Sequence, residues 1–463
     1  MINLNFVKDK KVVVFGLGKA GMSSVKALAF GGAFVIACDD SKESKTALKN
    51  ENISSVSVED IESIDWNNVD FMVLSPGVPF THPQPHKVVK LAQNAGCEII
   101  CDIELLYRAN PKSKFIGITG TNGKSTTTAL IGHILRNAGI NCAVGGNIGI
   151  AALDLENLGS DGVYVIEMSS YQLDLIKQTK FDISVWLNIT PDHLDRHGGI
   201  EGYIIAKKNI FTNQGEGDSA VIGVDDSFSV NVFEGLKREA KISNIIPISV
   251  NEILEYGVSM KETLIVDGEN VKFGIELGEL KKIQGKHNAQ NICAAYVVSK
   301  HCGVTMEDFV QGVRSFDGLP HRMQYVREEN GVVYINDSKA TNADAASKAL
   351  ETFGNIYWIL GGVPKSGGIE SLHRYFPKIK HAYLIGEAQD EFAGTLQGKI
   401  EFTKCNDLKN AFIKAKKDAE SCSEEQPVVL LSPACASFDQ WSNFEERGDA
   451  FIAYVNGKMA VDE

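Results

Sequence analysis

The chain has 463 residues, of which 44% are hydrophobic and 23% charged, and its net charge at pH 7 is −13. This composition is typical of a globular protein of about three domains, and the negative charge argues against a nucleic-acid or anionic-membrane partner. No apolar run approaches the roughly 20 residues that span a bilayer, and the nine scattered cysteines are typical of reduced thiols. The sequence therefore predicts a cytoplasmic protein with no membrane or nucleic-acid partner.

Residues 1–110 are predicted to form a first α/β domain that binds a nucleotide. A strand over Lys11–Phe15 leads into the glycine loop Gly16–Gly21, and a helix and a second strand follow, ending at Asp39. This dinucleotide-binding fingerprint taken alone predicts an NAD enzyme, whereas the weaker interpretation is a loop for any phosphate-bearing nucleotide. A further strand ends in Ser75-Pro76-Gly77, which is either a ligand-lining loop or a plain tight turn.

Residues 111–318 are predicted to form a second domain that opens on a phosphate-binding loop. The apolar run Phe115–Ile118 is followed by GTNGKS at 120–125 and then by a helical pattern. Glycines there let backbone N–H groups approach phosphate oxygens, Lys124 can reach the β- and γ-phosphates, and the Ser125 hydroxyl can bind Mg²⁺. The spacing departs from the usual P-loop because Ile118 stands where the first glycine is expected, so a plain glycine-rich turn remains the alternative.

Later strands of this domain also end in polar residues. Glu167 follows a predicted strand and is well placed to hold Mg²⁺, although a helix-capping or surface acid is the alternative. The run 188–197, NITPDHLDRH, packs two histidines, two aspartates and an arginine behind another strand. Lys207 lies on the next helix with Tyr203. Taken singly, His193 would be a structural histidine and Lys207 a solvated lysine, but the density of polar residues in the run 188–197 favours a site there.

Residues 219–285 change character, and their short alternating runs predict a small antiparallel patch. A hairpin is expected with Asp267-Gly268-Glu269-Asn270 between strands at 264–266 and 271–273. A helix then begins near Gly285, and its Asn288 and Asn291, three residues apart, share one face. Helix capping is the alternative role for Asn288.

Residues 319–463 are predicted to form a third α/β domain. Strands are expected over Val332–Ile335, Tyr357–Leu360, Ala382–Ile385 and Val428–Leu431, each followed by polar residues and separated by helical patterns. The domain has no phosphate loop of its own. Its basic residues Arg322, Lys339 and Lys365 could meet phosphates or carboxylates that other domains bind.

The order of these motifs resembles that of the Mur ligases, the ATP-dependent ligases that build the peptide stem of peptidoglycan. The shared motifs are GTNGKS at 120–125, GNIG at 146–149, EMSS at 167–170, NITPDHLD at 188–195, KHN at 286–288, PHR at 320–322 and NDSKATN at 336–342. The resemblance implies three α/β domains: a Rossmann-like UDP-binding domain, a P-loop ATPase-type domain with a small antiparallel patch, and a Rossmann-like domain that binds the amino acid.

The resemblance also implies the reaction. An acyl phosphate would form from ATP and UDP-N-acetylmuramoyl-L-alanine, and the amine of D-glutamate would then displace phosphate. The runs Gly16–Gly21, LSPGVP at 74–79 and LSPACASFDQ at 431–440, which continues as NFEERG at 443–448, favour D-glutamate, and an Asp-Asn-Pro-Arg motif of sister enzymes is absent. A Mur ligase that adds another amino acid is the alternative. We expect a monomer whose third domain closes on its ligands.

The roles of individual residues follow from the same resemblance. The catalytic set would be Lys124, Glu167, His193 and Lys207. The UDP substrate would contact Gly18, Asp39, Ser75, Gly77, Asn147 and Ser169. ATP would contact Gly120, Thr121, Asn122, Gly123, Lys124, Ser125, Thr126, Asn288, Asn291, Arg322 and Asp337. D-Glutamate would contact Lys339, Thr341, Lys365, Ser437 and Phe444. Two Mg²⁺ ions would be held by Ser125, Glu167, His193 and a carbamylated Lys207, with Lys208 as the carbamate if the register shifts by one.

Overall fold

The computed structural model describes residues 1–268, 274–278, 280, 282–283, 285–424 and 426–458. Its strands form three sheets, of five, nine and six strands, and helices connect the parallel ones. The α/β class expected from the sequence is therefore confirmed. The chain divides into two compact units, Met1–Gly278 with His287–Ser315 and Glu279–Lys286 with Phe316–Glu463.

The first sheet is built from short, apolar strands. The strands are β1 (Lys11–Phe15), β2 (Phe34–Cys38), β3 (Val56–Val58), β4 (Phe71–Leu74) and β5 (Glu98–Ile100), and the helices are α1 (Lys19–Phe30), α2 (Lys42–Glu51), α3 (Lys87–Asn94) and α4 (Asp102–Ala109). All five strands are parallel, in the order β3-β2-β1-β4-β5. Sequences such as KVVVF in β1, with a buried β-branched core, suit strands covered on both faces.

The strand order creates a crevice in this sheet. The chain runs from β1 outward to β3 and then restarts at β4 on the other side of β1, so the strand order reverses between β1 and β4. In such sheets ligands bind outside the carboxyl ends of the strands at this point. Gly16 follows β1 and Ser75 follows β4. The two loops predicted to line a nucleotide site therefore lie together.

The second sheet belongs to the same compact unit. Its strands are β6 (Lys114–Thr119), β7 (Cys142–Gly146), β8 (Val163–Glu167), β9 (Ile183–Trp186), β10 (Ser219–Gly223), β11 (Asn244–Ser249), β12 (Val258–Lys261), β13 (Leu264–Asp267) and β14 (Gly274–Glu276). The helices are α5 (Lys124–Asn137), α6 (Ser170–Leu173), α7 (Leu194–His197), α8 (Ile200–Lys208), α9 (Ser227–Glu239), α10 (Lys286–His301) and α11 (Met306–Ser315). The strand order is β14-β13-β12-β11-β10-β9-β6-β8-β7.

The register of this sheet brings the candidate residues to one edge. β6 lies between β8 and β9, with Ile118 paired to Glu167 and Thr119 paired to Trp186. The three parallel strands therefore end level with one another. The phosphate loop, Glu167 and the polar run after β9 all start from this edge.

The antiparallel patch is smaller than the sequence suggests. β10, β11 and β12 continue the parallel sheet, and among the described residues of this sheet the antiparallel pairs are β12–β13 and β13–β14. The 13-residue helix α9 makes the crossover that a parallel pair requires, and the short strand patterns alone carried no information on direction. Residues 269–273 of the predicted hairpin lie outside the described residues; Leu264 pairs with Glu276.

The third sheet lies in the second compact unit. Its strands are β15 (Gln324–Glu329), β16 (Val332–Asn336), β17 (Ile356–Gly361), β18 (Ile379–Ile385), β19 (Phe402–Asn406) and β20 (Val428–Leu431), and its helices are α12 (Ala343–Thr352), α13 (Gln389–Leu396), α14 (Leu408–Glu420) and α15 (Phe444–Val455). The order is β15-β16-β20-β17-β18-β19, with β15 antiparallel to β16 and the other neighbours parallel. The sequence missed β15 and β19, which are the two edge strands and carry many polar residues.

Glu104 in α4 ties the first sheet's last helix to the segment that follows α6. Its buried carboxylate accepts the backbone N–H groups of Lys177, Gln178 and Thr179 at 2.9, 2.9 and 3.0 Å and a hydrogen bond from Arg108 at 2.8 Å. Burial alone would raise the pKa of Glu104, but these hydrogen bonds hold it below its ordinary value. The joint between the two sheets therefore contains a fully satisfied buried anion.

The nine cysteines all lie within the described residues and are unpaired. Most are buried, and burial raises the pKa of the Cys38 thiol to about 12. They act as small apolar side chains, as expected. Across the described residues, no helix combines the length and apolar character needed to cross a membrane.

Candidate active site

The phosphate loop passes from β6 into α5 through Gly123. Gly123 has a φ of 85°, and a Cβ at this position would lie 2.4 Å from Asn291 Oδ1, so a side chain does not fit. Within the described part of the chain, no side chain caps the N-terminus of α5. Its first backbone N–H groups therefore remain available to phosphate oxygens.

Side chains from later segments hold this loop in shape. Asn188 accepts a hydrogen bond from the Asn122 N–H at 2.9 Å, and its amide donates to Asn122 O at 3.2 Å and to Gln290 Oε1 at 2.8 Å. Thr121 Oγ1 lies 3.3 Å from the Tyr203 hydroxyl. The sequence predicted the loop but not these contacts, since they join residues 66 to 102 positions apart.

Asn288 and Asn291 form a buried pair beside the loop. The Asn291 amide donates to Asn288 Oδ1 at 2.9 Å, and Thr127 Oγ1 donates to Asn291 Oδ1 at 3.0 Å. Their predicted position on one helix face is confirmed. Asn288 lies inside α10, which begins at Lys286, and so is not its N-cap.

Two lysines donate to one carbonyl oxygen of the loop. Lys124 Nζ lies 3.0 Å from Gly120 O, and Lys207 Nζ lies 2.9 Å from the same atom and 3.2 Å from Thr119 Oγ1. Lys207 is only 1% exposed. Burial, and then the positive charge of Lys124, hold the pKa of Lys207 well below its usual value. The environment therefore favours the neutral amine of Lys207.

Lys207 and its neighbour Lys208 differ sharply in their surroundings. Lys207 Nζ lies 4.8 Å from the centroid of the Tyr203 ring, on the helix face that meets the loop. The Lys208 side chain is 37% exposed, and its Nζ lies 3.8 Å from Glu239. Of the two lysines, Lys207 is the one at the phosphate loop.

Glu167 presents a carboxylate oxygen that can hold a cation. It is buried, and Oε1 accepts a hydrogen bond from Asn147 Nδ2 at 2.8 Å, whereas Oε2 has no donor among the described residues. A buried oxygen without a donor is costly, and Mg²⁺ would satisfy it. The described residues contain no group of three His, Cys, Asp or Glu side chains placed to hold a metal ion. Phosphate oxygens and water would therefore complete such a site, which suits Mg²⁺.

The two histidines of the polar run have different environments. His193 is the N-cap residue that precedes α7, its ring is half exposed, and its Nε2 lies 3.4 Å from Asp192 Oδ2. His197 is buried, lies 2.9 Å from Ser170 Oγ and stacks on Tyr171 with 5.3 Å between ring centroids. Burial, and then the charge of Lys207, lower the pKa of His197 to about 4. His193 is thus accessible to ligands, and His197 is part of the scaffold.

The glycine loop of the first sheet is held by Asp39 and Ser75. The Asp39 carboxylate accepts the Leu17 N–H, and Ser75 Oγ donates to Gly16 O at 2.6 Å. A Cβ at Gly21 would lie 1.8 Å from Gly16 O, so α1 packs directly against the loop. Both predicted substrate residues therefore also shape the loop itself.

The other residues predicted for the UDP substrate fall into two groups. Gly18 and Gly77 face open space, since a Cβ on either would meet no atom within 4 Å. Asn147 Nδ2 donates a hydrogen bond to Glu167 Oε1. Ser169 is the N-cap of α6, and its Oγ accepts the Gln172 N–H at 3.2 Å. Sequence reasoning could not foresee these local partners.

Two basic side chains connect the first and second sheets. Lys19 Nζ, at the start of α1, donates to Gly149 O in the GNIG loop. Arg196 Nη1 donates to Gly77 O at 3.2 Å, and its guanidinium lies 4.6 Å from the centroid of the Tyr171 ring. Neither was predicted as a site residue, because local sequence patterns do not indicate which loops face each other.

The second compact unit buries Asp337 at the end of β16. Its Oδ1 accepts the Met323 N–H at 3.0 Å and its Oδ2 accepts the Ser432 hydroxyl at 2.8 Å. Burial raises the pKa of Asp337 to about 7. Arg322 Nε is buried without an acceptor among the described residues.

The residues predicted to bind D-glutamate lie on several loops of this unit. Lys339 Nζ lies 5.2 Å from the centroid of the Phe444 ring, so these two are brought together. Ser437 is buried, Thr341 is partly buried and Lys365 is exposed.

Arg447 organises the same loops and was not predicted as a site residue. Its guanidinium is fully buried and donates to Ser338 Oγ, Ser338 O and Cys435 O at 3.0, 2.8 and 3.1 Å. Burial lowers the pKa of Arg447 to about 10. It therefore joins the loops after β16 and β20.

Family models match most of the chain. The Mur ligase MurD-like N-terminal domain matches residues 10–101, the Mur ligase middle domain matches 118–299, and the Mur ligase glutamate ligase domain matches 321–435.

Similar sequences extend over the full length. Proteins named UDP-N-acetylmuramoylalanine–D-glutamate ligase from Caulobacter sp. (strain K31) and Paramagnetospirillum magneticum are 48% and 45% identical. The matches cover 99% and 98% of this chain and 98% of each relative.

Solved structures share the fold at low identity. UDP-N-acetylmuramate-alanine ligase MurC from Thermotoga maritima has a TM-score of 0.58 at 17% identity, covering 97% of this chain and 100% of that one. MurF from Acinetobacter baumannii has a TM-score of 0.57 at 17% identity, covering 98% and 93%.

Proposed function

The chain belongs to the Mur ligase family, and from that premise we propose that it joins D-glutamate to UDP-N-acetylmuramoyl-L-alanine at the expense of ATP. The family consists of ATP-dependent ligases of peptidoglycan precursor synthesis. The relatives that match over the full length carry the name of the D-glutamate-adding enzyme. We propose that the reaction takes place in the cytoplasm, where ATP is available, and that the enzyme acts as a monomer.

One observation carries the proposal: Lys124, Lys207 and Glu167 meet at the edge of the second sheet. Both lysines donate to Gly120 O, and Glu167 pairs in register with Ile118, two residues before that carbonyl. One cation, Lys124, a buried amine, Lys207, and one carboxylate, Glu167, at a phosphate loop are suited to a triphosphate and its metal ion. A dehydrogenase built on Gly16–Gly21 would give this cluster no task.

The chemistry follows from the low reactivity of a carboxylate. A carboxylate oxygen of the UDP substrate attacks the γ-phosphorus of ATP, and ADP leaves. The amine of D-glutamate then attacks the acyl carbon, the C–N bond forms, the amine loses a proton, and inorganic phosphate leaves. Lys124 offsets negative charge on the β- and γ-phosphates. Ser125, Glu167 and His193 would hold Mg²⁺, which would neutralise negative charge that develops during the transfer.

Lys207 is proposed to carry a carbamate. Carbamylation requires a neutral amine, which attacks CO₂ and loses a proton, and burial favours that neutral form. The product is an anion beside Lys124, where it would help to hold one of two Mg²⁺ ions. Lys208, with its ammonium near Glu239, lacks the burial that favours this reaction.

The remaining assignments divide the ligands among three domains. Residues 1–110 would bind the UDP moiety through Gly18, Asp39, Ser75 and Gly77, with Asn147 and Ser169 contributed by residues 111–318, which would bind ATP. Residues 319–463 would supply Arg322 and Asp337 to ATP, and Lys339, Thr341, Lys365, Ser437 and Phe444 to D-glutamate. Lysine and hydroxyl groups match the two carboxylates of that amino acid.

The test is phosphate release from ATP with Mg²⁺, UDP-N-acetylmuramoyl-L-alanine and a panel of amino acids. We expect release that requires both substrates and is fastest with D-glutamate. Faster release with L-glutamate, lysine or diaminopimelate would replace the substrate assignment. No release with any amino acid would refute the ligase reaction itself.

A further inference from the structure

A groove lies on the outer side of α8, the helix that carries Lys207. It opens between α8 with the turn that follows it and the carboxyl end of α9, and its volume is about 340 Å³. Three apolar side chains, those of Phe211, Leu236 and Ile242, form its floor and are 4, 4 and 5% exposed. Ile205 forms one wall and is 65% exposed. The groove is therefore an apolar cavity of the size that holds one small ligand.

Two lysines and one glutamate stand at the rim of this groove. Lys241 Nζ donates to Thr212 O at 2.7 Å, and Lys208 Nζ lies 3.8 Å from Glu239 Oε1. An ammonium has three N–H donors, and a distance of 3.8 Å is too long for a hydrogen bond. Each lysine can therefore donate to an anion in the groove and keep the contact described here.

An apolar cavity below two ammonium groups matches an amphipathic anion. A carboxylate would receive hydrogen bonds at the rim, while a short hydrocarbon chain would displace water from the floor. The carboxylate of Glu239 at the same rim disfavours a dianion, such as a phosphate monoester, more than a monoanion. The protein as a whole carries a net charge of −13, so general attraction for anions would not explain binding here. The groove therefore suits a small monocarboxylate with an apolar chain.

The two faces of α8 connect this groove to the phosphate loop. Ile205 and Lys208 line the groove, whereas Lys207 is buried and donates to Gly120 O at 2.9 Å. A helix moves as a unit, so a ligand that displaces the outer face also displaces Lys207.

We propose that the groove binds a small amphipathic carboxylate and that this occupant inhibits the enzyme by shifting α8. The binding depends on the groove alone, and the inhibition rests on the proposed function. The inhibitor enters between α8 and α9, with its carboxylate at Lys208 and Lys241 and its chain against Leu236. The contact of Lys207 with the phosphate loop is then perturbed from behind, without any competition for the substrate sites.

Methyl NMR on the wild-type protein measures binding without turnover. Hexanoate should shift the methyl signals of Ile205, Leu236 and Ile242, and its affinity should exceed that of butyrate by about threefold for each added methylene. Hexanol and hexylamine have the same chain and should bind at least about tenfold more weakly, because they lack the anion. ATP and D-glutamate should not displace hexanoate. Equal binding of hexanol, or displacement by either substrate, would overturn the proposed site.

Substitutions at the rim should change the affinity in opposite directions. Lys241→Gln should weaken hexanoate binding about fivefold, and Glu239→Gln should strengthen it about threefold, because each removes one charge next to the carboxylate. Neither should change the affinity for hexanol. Both side chains are exposed, so the melting temperatures should stay near that of the wild type.

The chain offers a matched control for the loss of a positive charge. Lys237 is an exposed lysine in the last turn of α9, outside the groove, and its Nζ lies 3.8 Å from Glu234 Oε1. Lys237→Gln removes the same charge as Lys241→Gln and should bind hexanoate as the wild type does. Equal weakening by the two changes would show a general effect of net charge and overturn the site.

Phosphate release then tests the inhibition. Saturating hexanoate should lower kcat about threefold and leave the KM values of ATP and D-glutamate little changed. The concentration that gives half of this effect should rise about fivefold in Lys241→Gln. Competition with D-glutamate, or an unchanged or higher kcat at saturation, would overturn the inhibitory role. If the wild type releases no phosphate at all, the ligase assignment fails, and the NMR titrations still decide whether the groove binds carboxylates.

Discussion

The two glycine-rich loops of the first compact unit differ in how closely side chains surround them. The loop at 120–123 is held by Asn188 and Tyr203, and a Cβ on Gly123 would collide with Asn291. The loop at 16–21 is held by the hydrogen bond that Asp39 accepts from the Leu17 N–H and by the one that Ser75 donates to Gly16 O, and Gly18 faces open space. One loop is enclosed and the other is open, although both follow a parallel strand and precede a helix.

The two degrees of enclosure suit two different tasks. An enclosed loop keeps its backbone donors and nearby charges in one arrangement, which a group transfer requires. An open loop offers a surface to a large ligand and leaves selectivity to side chains at its rim. Substitutions at the two loops should therefore have different effects on catalysis, stability and binding.

The strongest test removes the buried amine beneath the enclosed loop. Lys207→Ala should lower kcat about 10³-fold, because it removes a charge-bearing group at the phosphate site. Short-chain carboxylic acids should restore part of the activity if a carbamate is the missing group. Lys208→Ala is the control and should keep near-normal activity. Full activity of Lys207→Ala would contradict the assignment.

A second test adds one methyl group to each loop. Gly123→Ala should lower kcat/KM for ATP about 100-fold, because the Cβ displaces Asn291 and the backbone is strained at a φ of 85°. Gly18→Ala should leave the melting temperature unchanged, since its Cβ enters open space. Melting curves and ATP titrations measure both. Equal destabilisation by the two changes would remove the contrast between the loops.

A third test removes the side chains that hold the loops. Asn188→Ala should lower the free energy of unfolding by about 1–3 kcal/mol and weaken ATP binding, because three hydrogen bonds are lost. Asp39→Ala should weaken binding of the UDP substrate and leave the affinity for ATP unchanged. Denaturant titration and separate KM measurements distinguish the two sites. Weaker ATP binding in Asp39→Ala would show that the loops are coupled.

The smallest effect concerns pH and the scaffold of the enclosed loop. The His197 ring packs against Tyr203, and the Tyr203 hydroxyl lies 3.3 Å from Thr121 Oγ1 in the loop. Burial lowers the pKa of His197 from an ordinary 6.5 to about 4. The unfolded chain therefore binds the extra proton between pH 6.5 and 4. The contribution of neutral His197 to the free energy of unfolding is therefore complete above pH 6.5 and is lost as the pH falls from 6.5 to 4.

In the variant His197→Gln the melting temperature should decrease less as the pH falls from 7 to 4.5 than it does in the wild type. His373→Gln changes an exposed histidine of the second unit and serves as the control. An equally steep acid loss in His197→Gln would mean that other groups titrate in this window.

Sequence reasoning predicted the elements that carry strong local signals. Strand β1 and the start of α5 are determined by a short apolar run and a glycine turn, and they lie where predicted. β15 and β19 were missed because edge strands are partly solvated and carry polar residues that hide the period-two pattern. Local pattern therefore predicts the middle of a sheet better than its edges.

Long-range partners could not be read from the sequence. The Asn188–Gln290 hydrogen bond and the contact from Lys19 to Gly149 join residues 102 and 130 positions apart. Only the packing of whole strands and helices decides such pairs. The same limit applies to Ser169, whose predicted place in the substrate site did not indicate that its hydroxyl caps α6.

The buried carboxylate of Glu104 bears on how such a chain can be recombined. It belongs to α4, whereas its donors lie in the turn at 177–179, so neither half of the joint is satisfied without the other. A chimera that joins residues 1–110 of this chain to another second domain keeps this joint where the incoming turn presents its backbone N–H groups to Glu104. Where it does not, the chimera buries an unpaired carboxylate, which is costly.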